Sequence, residues 1–522
     1  MSFRKNLLLP VVVLAGGFGV WLLAANAFSY AQIPTAQPKT ERPATSLRFD
    51  ASLAHDINEL IDSSDAAHAR WGLFVISKDG QVRYSRDGDK LFMPASNMKI
   101  YTTAVALDLL GSDYRWRTSV YSLKQPDTNG TIDGDLILYG RGAPDFDSKR
   151  KESLPALVEQ LFARGVRRVR GDIVGDESFF SGEVFGVGWQ WNDLQWYYGA
   201  EPSALTIDGN AIEITMAPAS RPDIAATVVA NPNDDYVHLI NNTATAERGV
   251  VTSIGIQRGL SNNDVRVWGE FPVSGRAFSA FLSVHDPALH AAAIFKRLLI
   301  ARGIQVDGEV QSRDFRVPEN ERFNPEQANE LGFTESASLS QIVRTTNKES
   351  NNLFAELILR TLGKERGATA PDSDPRLNQT RGDDVAGTAV VRKWLSNHGI
   401  NANILGLNDG SGLSRLDLIT PESAARLLMA ASQSTWAADF HDSLPIAGRD
   451  GTLQTRLGNL SGRIVAKTGT LAYIHSLSGY VTTASGETLA FSIICNDATG
   501  PSHPSRVIDS IVVRIAASGT SP

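Results

Sequence analysis

Residues 94–111 read PASNMKIYTTAVALDLLG, a stretch in which a helix signal and a chemical signal coincide. Its apolar residues recur on one side of a helix, and Gly111 is a natural helix stop. Ser96 and Lys99 stand at the start, and residues three positions apart share a helix face. The stretch therefore predicts a helix with a polar pair in its first turn and a buried apolar side.

The pair of Ser96 and Lys99 suits nucleophilic catalysis. A serine hydroxyl is a poor nucleophile until a base takes its proton, and a desolvated lysine near other cations has a pKa low enough to be that base. Free backbone N–H groups and the helix dipole at a first turn also favour a developing oxyanion. The same spacing begins at Ser2 and Ser148, but the first falls in the N-terminal leader and the second in a charged loop.

Two further patterns follow in matching contexts. Residues 350–352 read SNN and immediately precede an apolar helical face. Residues 467–470 read KTGT and lie on a predicted strand, where Lys467 and Gly469 share one face. The lysine and the two threonine hydroxyls would recognise a carboxylate, and Gly469, which lacks a side chain, would let substrate lie against the strand edge.

The order of predicted elements indicates the fold class. A helix and a hairpin come first, then a strand-rich block, then helices, and finally a hairpin region and a last helix. Strands from the two ends of the chain can share one sheet only if the middle block is an excursion from it. We therefore expect an α/β (α+β) fold, an antiparallel sheet flanked by helices, with a large β-rich insertion. The predicted domains are a signal peptide or membrane anchor (1–31), a Pro-rich linker (32–46), the catalytic domain (47–115 and 285–522) and the insertion (116–284).

The amino terminus indicates export. Arg4 and Lys5 precede the uncharged apolar residues 7–25, and small residues that fit a cleavage site follow. This pattern is typical of a secretory signal, although its length leaves an uncleaved membrane anchor open. We expect a periplasmic or otherwise extracytoplasmic protein, with membrane association through the N-terminus if the segment is retained.

Composition excludes several other classes. The chain has 50 Lys and Arg against 57 Asp and Glu, a net charge of −7, which argues against a nucleic-acid partner. Its one cysteine, Cys495, lies in an apolar run that predicts a buried strand, so we interpret it as a core residue. His285 and His290 are spaced too far apart for a helical zinc pair. We expect no metal site and no cofactor.

In this order, the three motifs form the serine–lysine signature of β-lactamases and penicillin-binding proteins. Ser96 and Ser350 are 254 positions apart (350 − 96), a gap too long for a compact β-lactamase. The chain resembles the D-alanyl-D-alanine carboxypeptidase/endopeptidase family, the S13 peptidases or low-molecular-mass class C penicillin-binding proteins, from about residue 47 to 517. Further similar segments are DGSGLSR at 409–415, YGAEPSAL at 198–205 and VGDESF at 174–179. Residues 142–145, GAPD, depart from the Gly-Asp-Pro that is more usual there.

The resemblance implies a transpeptidase-like domain and an acyl-enzyme mechanism. Ser96 would be the nucleophile and Lys99 its general base. Ser350 would relay a proton to the leaving D-alanine, and Asn352 would hold the peptide group. The backbone N–H groups of Ser96 and Thr470 would form the oxyanion hole. Lys467 completes the catalytic set, and the implied substrate-binding residues are Thr468, Gly469, Thr470, Arg415 and Asp193. The last two would read the side chain of the stem peptide.

The implied partners are peptidoglycan stem peptides as substrates and β-lactams as covalent inhibitors, in peptidoglycan maturation and remodelling. Two other interpretations stay open. A Ser-His-Asp hydrolase would need one of the nine histidines in a nucleophile-elbow context, and none has it. A wall-binding protein with a vestigial pocket is disfavoured by the complete motif set. The motifs do not separate carboxypeptidase from endopeptidase activity, because both cut a D-Ala-D-X bond next to a carboxylate.

Overall fold

The computed structural model describes residues 51–232, 236–318, 322–367 and 382–519. The predicted signal or anchor (1–31) and linker (32–46) lie outside these residues. Within the described ranges, no helix combines the length and apolarity needed to cross a bilayer.

The helices of the described residues are α1 (Ala51–Asp62), α2 (Met98–Leu110), α3 (Leu154–Ala163), α4 (Pro287–Arg302), α5 (Leu339–Lys348), α6 (Asn352–Arg366), α7 (Asp383–Asn397), α8 (Pro421–Ser432), α9 (Ala437–Ser443) and α10 (Pro504–Ala517). The strands are β1 (Arg70–Ser77), β2 (Val82–Arg86), β3 (Arg117–Ser122), β4 (Thr131–Ile132), β5 (Leu136–Tyr139), β6 (Arg168–Val169), β7 (Ile173–Asp176), β8 (Ala211–Ala217), β9 (Thr227–Asn231), β10 (His238–Ala246), β11 (Ser253–Arg258), β12 (Asp264–Pro272), β13 (Phe278–Ser283), β14 (Gln305–Val306), β15 (Val310–Arg313), β16 (Asn329–Glu335), β17 (Ile464–Leu471), β18 (Ile474–Thr482) and β19 (Thr488–Asn496).

The main sheet joins the two ends of the chain. Its strand order is β17-β18-β19-β1-β2, and every pair is antiparallel. The predicted sharing of one antiparallel sheet is therefore confirmed. β19 reads TLAFSIICN and is buried on both faces except at its first residue, as a central strand covered by two layers must be. Cys495 lies inside it, and burial raises the pKa of its thiol to about 12. It is the core residue that the sequence predicted.

Helices cover both faces of the main sheet. On one face, α10 packs against β18 and α1 packs against α10, and their apolar side chains share a core with the sheet that includes Ile57, Leu477 and Ile511. On the other face, α8 packs on β1 and β19, and α2 lies behind it. α1 and α10 thus form one helical layer on the first of these faces.

A second sheet begins at β3 and has the order β15-β7-β5-β3-β16. It mixes parallel and antiparallel pairs, and α4 packs closely on β7, where an added Cβ at Gly175 would lie 2.1 Å from the Ala288 carbonyl oxygen. β15 and β16 follow residue 284, the predicted end of the insertion, and α3 is a helix within a block predicted to consist of strands. By strand pairing, we propose that the insertion extends to about residue 336.

The strands between β7 and α4 form a separate β-structure. Two three-stranded sheets, β13-β8-β9 and β10-β12-β11, enclose an apolar core that includes Ile214, Val267 and Leu282. A small parallel sheet, β14-β6-β4, lies elsewhere in the insertion. These sheets agree with the strand-rich block predicted for this part of the chain.

Replacing Ile511 by alanine should lower the free energy of unfolding by about 2–5 kcal/mol, because it removes a fully buried side chain between α10 and the sheet. The matched control is Val513→Ala on the same helix, where the side chain is 37% exposed. Chemical denaturation of both variants measures the difference. Equal losses for the two would contradict the packing described here.

Candidate active site

Ser96 lies in a tight turn held by the edge of the main sheet. The turn, Ala95–Asn97, is a single 3₁₀ turn that leads directly into α2, as the sequence predicted. Ala95 has φ 49°, a left-handed conformation that only surrounding contacts can maintain in a non-glycine residue. Those contacts include Asn97 Nδ2, which donates to the Lys467 carbonyl oxygen at 3.1 Å, and Ser476 Oγ, which donates to Pro94 O at 2.7 Å.

Lys99 is fully buried, and its Nζ has three neighbours within hydrogen-bond distance. They are Ser96 Oγ at 3.0 Å, Asn352 Oδ1 at 2.6 Å and the Ser411 carbonyl oxygen at 2.8 Å. None of the three carries a charge. Burial therefore lowers the pKa of Lys99 to about 7, and the nearby carboxylates, led by Asp409, act in the opposite direction.

The second motif meets the first at the start of α6. Ser350 occupies the turn between α5 and α6 with φ 62°, and Asn351 caps α6 by accepting a hydrogen bond from the Phe354 N–H. Asn352, the first residue of the helix, donates from Nδ2 to the Tyr198 carbonyl oxygen at 2.8 Å and accepts from Lys99 through Oδ1. The amide is thus oriented by one donor and one acceptor.

Lys467 joins the second motif to the third. Its buried Nζ donates to Ser350 Oγ at 2.9 Å and to the Thr468 carbonyl oxygen at 2.9 Å. Burial, followed by the charge of Lys99, holds the pKa of Lys467 well below its ordinary value. The three predicted motifs therefore converge on one cleft, linked through the two lysine ammonium groups.

The two threonines of the third motif differ in exposure. Thr468 is mostly buried, and its hydroxyl lies 2.6 Å from that of Thr452, whereas Thr470 is exposed. β17 is an edge strand, and the Ala466 N–H at that edge donates to Pro445 O. Because N–H groups alternate sides along a strand, those of Thr468 and Thr470 face the same outer edge.

Gly469 faces the protein, contrary to the prediction that it makes room for substrate. A Cβ there would lie 2.2 Å from Ser476 Oγ, 2.7 Å from Pro94 O and 3.1 Å from Asn97 Nδ2. The missing side chain lets the Ser96 turn approach the strand. The prediction was wrong because strand alternation shows which residues share a face but not what covers that face.

Asp193 and Arg415 lie on neighbouring loops beside the motifs. Asp193 accepts a hydrogen bond from the Tyr198 hydroxyl at 3.2 Å, and partial burial raises the pKa of its carboxyl. Arg415 donates to the Ala472 carbonyl oxygen at 3.1 Å and faces Gln190 Oε1 at 3.4 Å. Through Tyr198, the Asp193 loop also contacts Asn352. The structure therefore places both residues at the margin of the cleft, outside the lysine network.

The loop formed by residues 409–414, part of the DGSGLSR segment, lies directly under Lys99. Residues 409–414 supply the Ser411 carbonyl, and Gly412, with φ 82°, approaches so closely that an added Cβ would lie 1.8 Å from Ala95 O. Asp409 and Glu356 accept the backbone N–H groups of this loop. Asn97, Ser411 and Glu356 are site residues that the motif spacing does not reveal, because their partners are distant in sequence.

The comparison with protein families identifies this arrangement. The model of the D-Ala-D-Ala carboxypeptidase 3 (S13) family matches residues 53–518. The chain belongs to that family. Membership confirms the predicted recognition and the predicted enzyme class, a serine-type carboxypeptidase and hydrolase. Among the described residues, no group of three or more His, Cys, Asp or Glu is arranged to hold a metal ion.

Curated relatives and solved structures agree with membership of the S13 family. The D-alanyl-D-alanine carboxypeptidase of Actinomadura sp. (strain R39) is 34% identical over 514 residues, which cover 94% of this chain and 90% of the relative. The D-alanyl-D-alanine carboxypeptidase DacB of Haemophilus influenzae is 28% identical over 79% of this chain and 82% of its own. The crystal structure of penicillin binding protein 4 (dacB) from Haemophilus influenzae superposes with a TM-score of 0.74 at 24% identity, over 88% of this chain and 98% of that one. The penicillin-binding-protein fold is therefore confirmed.

Gly469→Ala should lower the free energy of unfolding by about 1–3 kcal/mol, because the methyl group would enter space held by Ser476 and Pro94. Gly458→Ala is the control, since nothing lies within 4 Å of the added Cβ there, and it should change stability by less than about 0.5 kcal/mol. Denaturant unfolding of both variants measures this. A neutral Gly469→Ala would mean that the glycine does not serve the approach of the two backbones.

Proposed function

We propose that this S13 family member hydrolyses the terminal D-Ala-D-Ala bond of peptidoglycan stem peptides through an acyl-enzyme on Ser96. The observation that carries the proposal is the environment of Lys99. With one Nζ hydrogen directed to Asn352 Oδ1 and another to Ser411 O, a neutral amine would present its lone pair to Ser96 Oγ, 3.0 Å away. A pKa of about 7 makes that neutral form available near neutral pH.

Acylation follows from this arrangement. Lys99 takes the hydroxyl proton while Ser96 Oγ attacks the carbonyl carbon of the penultimate D-alanine. The backbone N–H groups of Ser96 and Thr470 donate hydrogen bonds that stabilise the negative charge developing on the carbonyl oxygen. The C–N bond then breaks, and Ser350 Oγ gives a proton to the departing amine. Lys467, 2.9 Å from Ser350 Oγ, replaces that proton in the relay.

Substrate recognition uses the edge of β17. The outward N–H groups and the hydroxyls of Thr468 and Thr470 suit an extended peptide with a terminal carboxylate, and the buried Lys467 adds positive charge nearby. Asn352 holds the peptide group, and Gly469 contributes by letting the Ser96 turn reach the strand. Asp193 and Arg415 are proposed to contact the stem-peptide side chain at the cleft margin. Water then attacks the acyl carbon: its proton passes through Ser350 to Lys467, Lys99 returns its proton to Ser96 Oγ as the ester bond breaks, and the shortened peptide leaves.

A β-lactam would acylate the same serine, since its ring amide mimics the scissile bond and its carboxylate would occupy the same strand edge. Solved structures of similar proteins include a complex of the Haemophilus influenzae penicillin binding protein 4 with a β-lactam. Endopeptidase activity on cross-links is a second proposed activity, because the same bond type and carboxylate are present there. A peptidoglycan substrate requires an extracytoplasmic location, and the apolar residues 7–25 would direct export to the periplasm or hold the chain at the membrane.

Incubation of the purified chain with benzylpenicillin should give a stable mass increase of one penicillin per chain. Ser96→Ala should show no adduct, because it lacks the hydroxyl that forms the ester. Intact-mass analysis measures both, and D-alanine release from a stem pentapeptide provides the turnover assay. An adduct retained on Ser96→Ala would place the nucleophile elsewhere.

The acylation rate should fall roughly tenfold for each pH unit below about 7, because only neutral Lys99 accepts the proton. The folded-state pKa is depressed, so the active form is fully present above it and lost as pH falls through it. Stopped-flow measurement of the acylation rate across pH 5–9 records this acidic limb of the pH–rate profile. Lys99→Arg, which keeps the positive charge but stays protonated throughout this range, should be acylated at least about a hundredfold more slowly at every pH. A flat profile in the parent chain would contradict the base assignment.

A further inference from the structure

The loop under Lys99 is organised by a group of buried carboxylates. Asp409, Glu356 and Asp417 are each at most 1% exposed. Oδ1 of Asp409 accepts the N–H groups of Ser411 at 3.1 Å and Gly412 at 2.6 Å. Its Oδ2 accepts from the Ser414 N–H at 2.7 Å, from Trp189 Nε1 at 2.9 Å and from the Ser411 hydroxyl at 3.3 Å. Donors from the loop and from Trp189 thus approach both oxygens of Asp409.

Glu356 holds the same loop from α6. Its Oε1 accepts the N–H groups of Gly410 at 3.0 Å and Ser411 at 2.9 Å. On the other side, Thr102 Oγ1 of α2 donates to the Gly410 carbonyl oxygen at 2.8 Å. The peptide group between residues 410 and 411 is thus fixed from two helices, and the next carbonyl, that of Ser411, is aimed at Lys99 Nζ.

We propose that Asp409 is a positioning residue for the general base: through residues 409–414 it sets the Ser411 carbonyl as the acceptor that aims the Lys99 lone pair at Ser96. Glu356 assists by holding the same loop. The inference rests on the proposed function of Lys99 and deepens it. Neither carboxylate touches Lys99 or the reacting atoms, so both act through the loop.

The charges around Lys99 make this role measurable. Lys467 faces it from β17, and the three carboxylates face it from α6 and the loop; Arg360 in turn faces Glu356, and Arg392 faces Asp417. Burial, then the charge of Asp409, raises the pKa of Glu356 to about 8 and that of Asp417 well above its ordinary value. The charge of Asp409 thus acts on Lys99, Glu356 and Asp417 alike.

The decisive variant is Asp409→Asn. Because N–H donors approach both oxygens, an asparagine must direct its NH₂ group against one set of donors in either orientation. We expect the second-order rate constant of acylation by benzylpenicillin to fall about 100-fold, the scale of loss for a misplacement of about 1 Å. Loss of the negative charge and of the positioned carbonyl should also lower the Lys99 pKa, so the acidic limb should move to lower pH by about half a unit or more.

Glu356 offers a conservative rescue. Glu356→Gln keeps an oxygen for both loop N–H groups and resembles the protonated carboxyl, so its rate should stay within about threefold of the parent chain. Glu356→Ala loses both hydrogen bonds and should lower the rate as Asp409→Asn does. In the single variant Asp409→Asn, Glu356 can ionise and replace the lost negative charge. The double variant Asp409→Asn/Glu356→Gln cannot do so, and the acidic limb of its pH–rate profile should therefore shift further than that of Asp409→Asn.

Asp383→Asn is the matched control, since Asp383 is a buried carboxylate that accepts the Ser181 N–H at 2.7 Å and does not face Lys99. Acylation is followed across pH 5–9, and the Lys99 pKa is titrated directly from its side-chain NMR signal in lysine-labelled protein, assigned with Lys99→Arg. The proposal would be overturned if Asp409→Asn were acylated more slowly while the acidic limb of its pH–rate profile and the Lys99 pKa stayed unchanged. It would also be overturned if Asp383→Asn shifted the Lys99 pKa as much as Asp409→Asn does. If the parent chain takes up no penicillin at Ser96, the proposed function fails, whereas the NMR titration still decides whether Asp409 positions Lys99.

Discussion

Two ammonium groups, those of Lys99 and Lys467, are fully buried in one cleft, and the rest of the site is arranged to tolerate them. Burying a charge is expensive unless it is paired, and an unpaired group lowers its pKa instead. Lys348 shows the ordinary solution, since its Nζ lies 2.7 Å from an Asp450 carboxylate oxygen. Among the described residues, the hydrogen bonds of the two motif lysines go to hydroxyl, amide and carbonyl oxygens. Burial therefore lowers the pKa of both, so that Lys99 can accept a proton and Lys467 gives one up more readily than an exposed lysine.

The need to surround both buried lysines with uncharged oxygens determines which elements of the fold must come together. The Ser96 turn brings the nucleophile, α2 its base, α6 the amide and β17 the second lysine, and residues 409–414 supply a carbonyl. The insertion also takes part, because the Tyr198 carbonyl orients Asn352 and Trp189 donates to Asp409. Ser414 Oγ in turn donates to the Val187 carbonyl oxygen at 2.6 Å. The segment around residues 187–198 is thus bonded to the catalytic loops and cannot be treated as a separate module.

The sequence predicts much of this, within a limit that has a physical basis. The helix after Ser96, its end at Gly111 and the antiparallel sheet shared by the two ends of the chain follow from periodicity and connection rules. The proposed extension of the insertion beyond residue 284 does not, because it rests on the pairing of β15 with β7 and of β16 with β3, which no local sequence pattern shows. The neighbours of Gly469 could not be predicted from the sequence either, because they belong to residues 94–97 and 476, which only the folded chain brings to this strand. The role of Ser411 depends on a contact across 312 positions, between atoms that no local pattern connects.

The strand order of the main sheet has a consequence for folding during synthesis. β1 and β2 lie near the start of the chain, yet β1 pairs with β19, which ends at residue 496. During synthesis β1 and β2 cannot complete the main sheet until β19 has been made, whereas the strands of the insertion pair within a shorter part of the chain. The Ser96 turn rests on Ser476 and Lys467, so the nucleophile acquires its surroundings only when the carboxyl-terminal strands arrive. The surroundings of Ser96 can therefore form only after β17 and β18 have been synthesised.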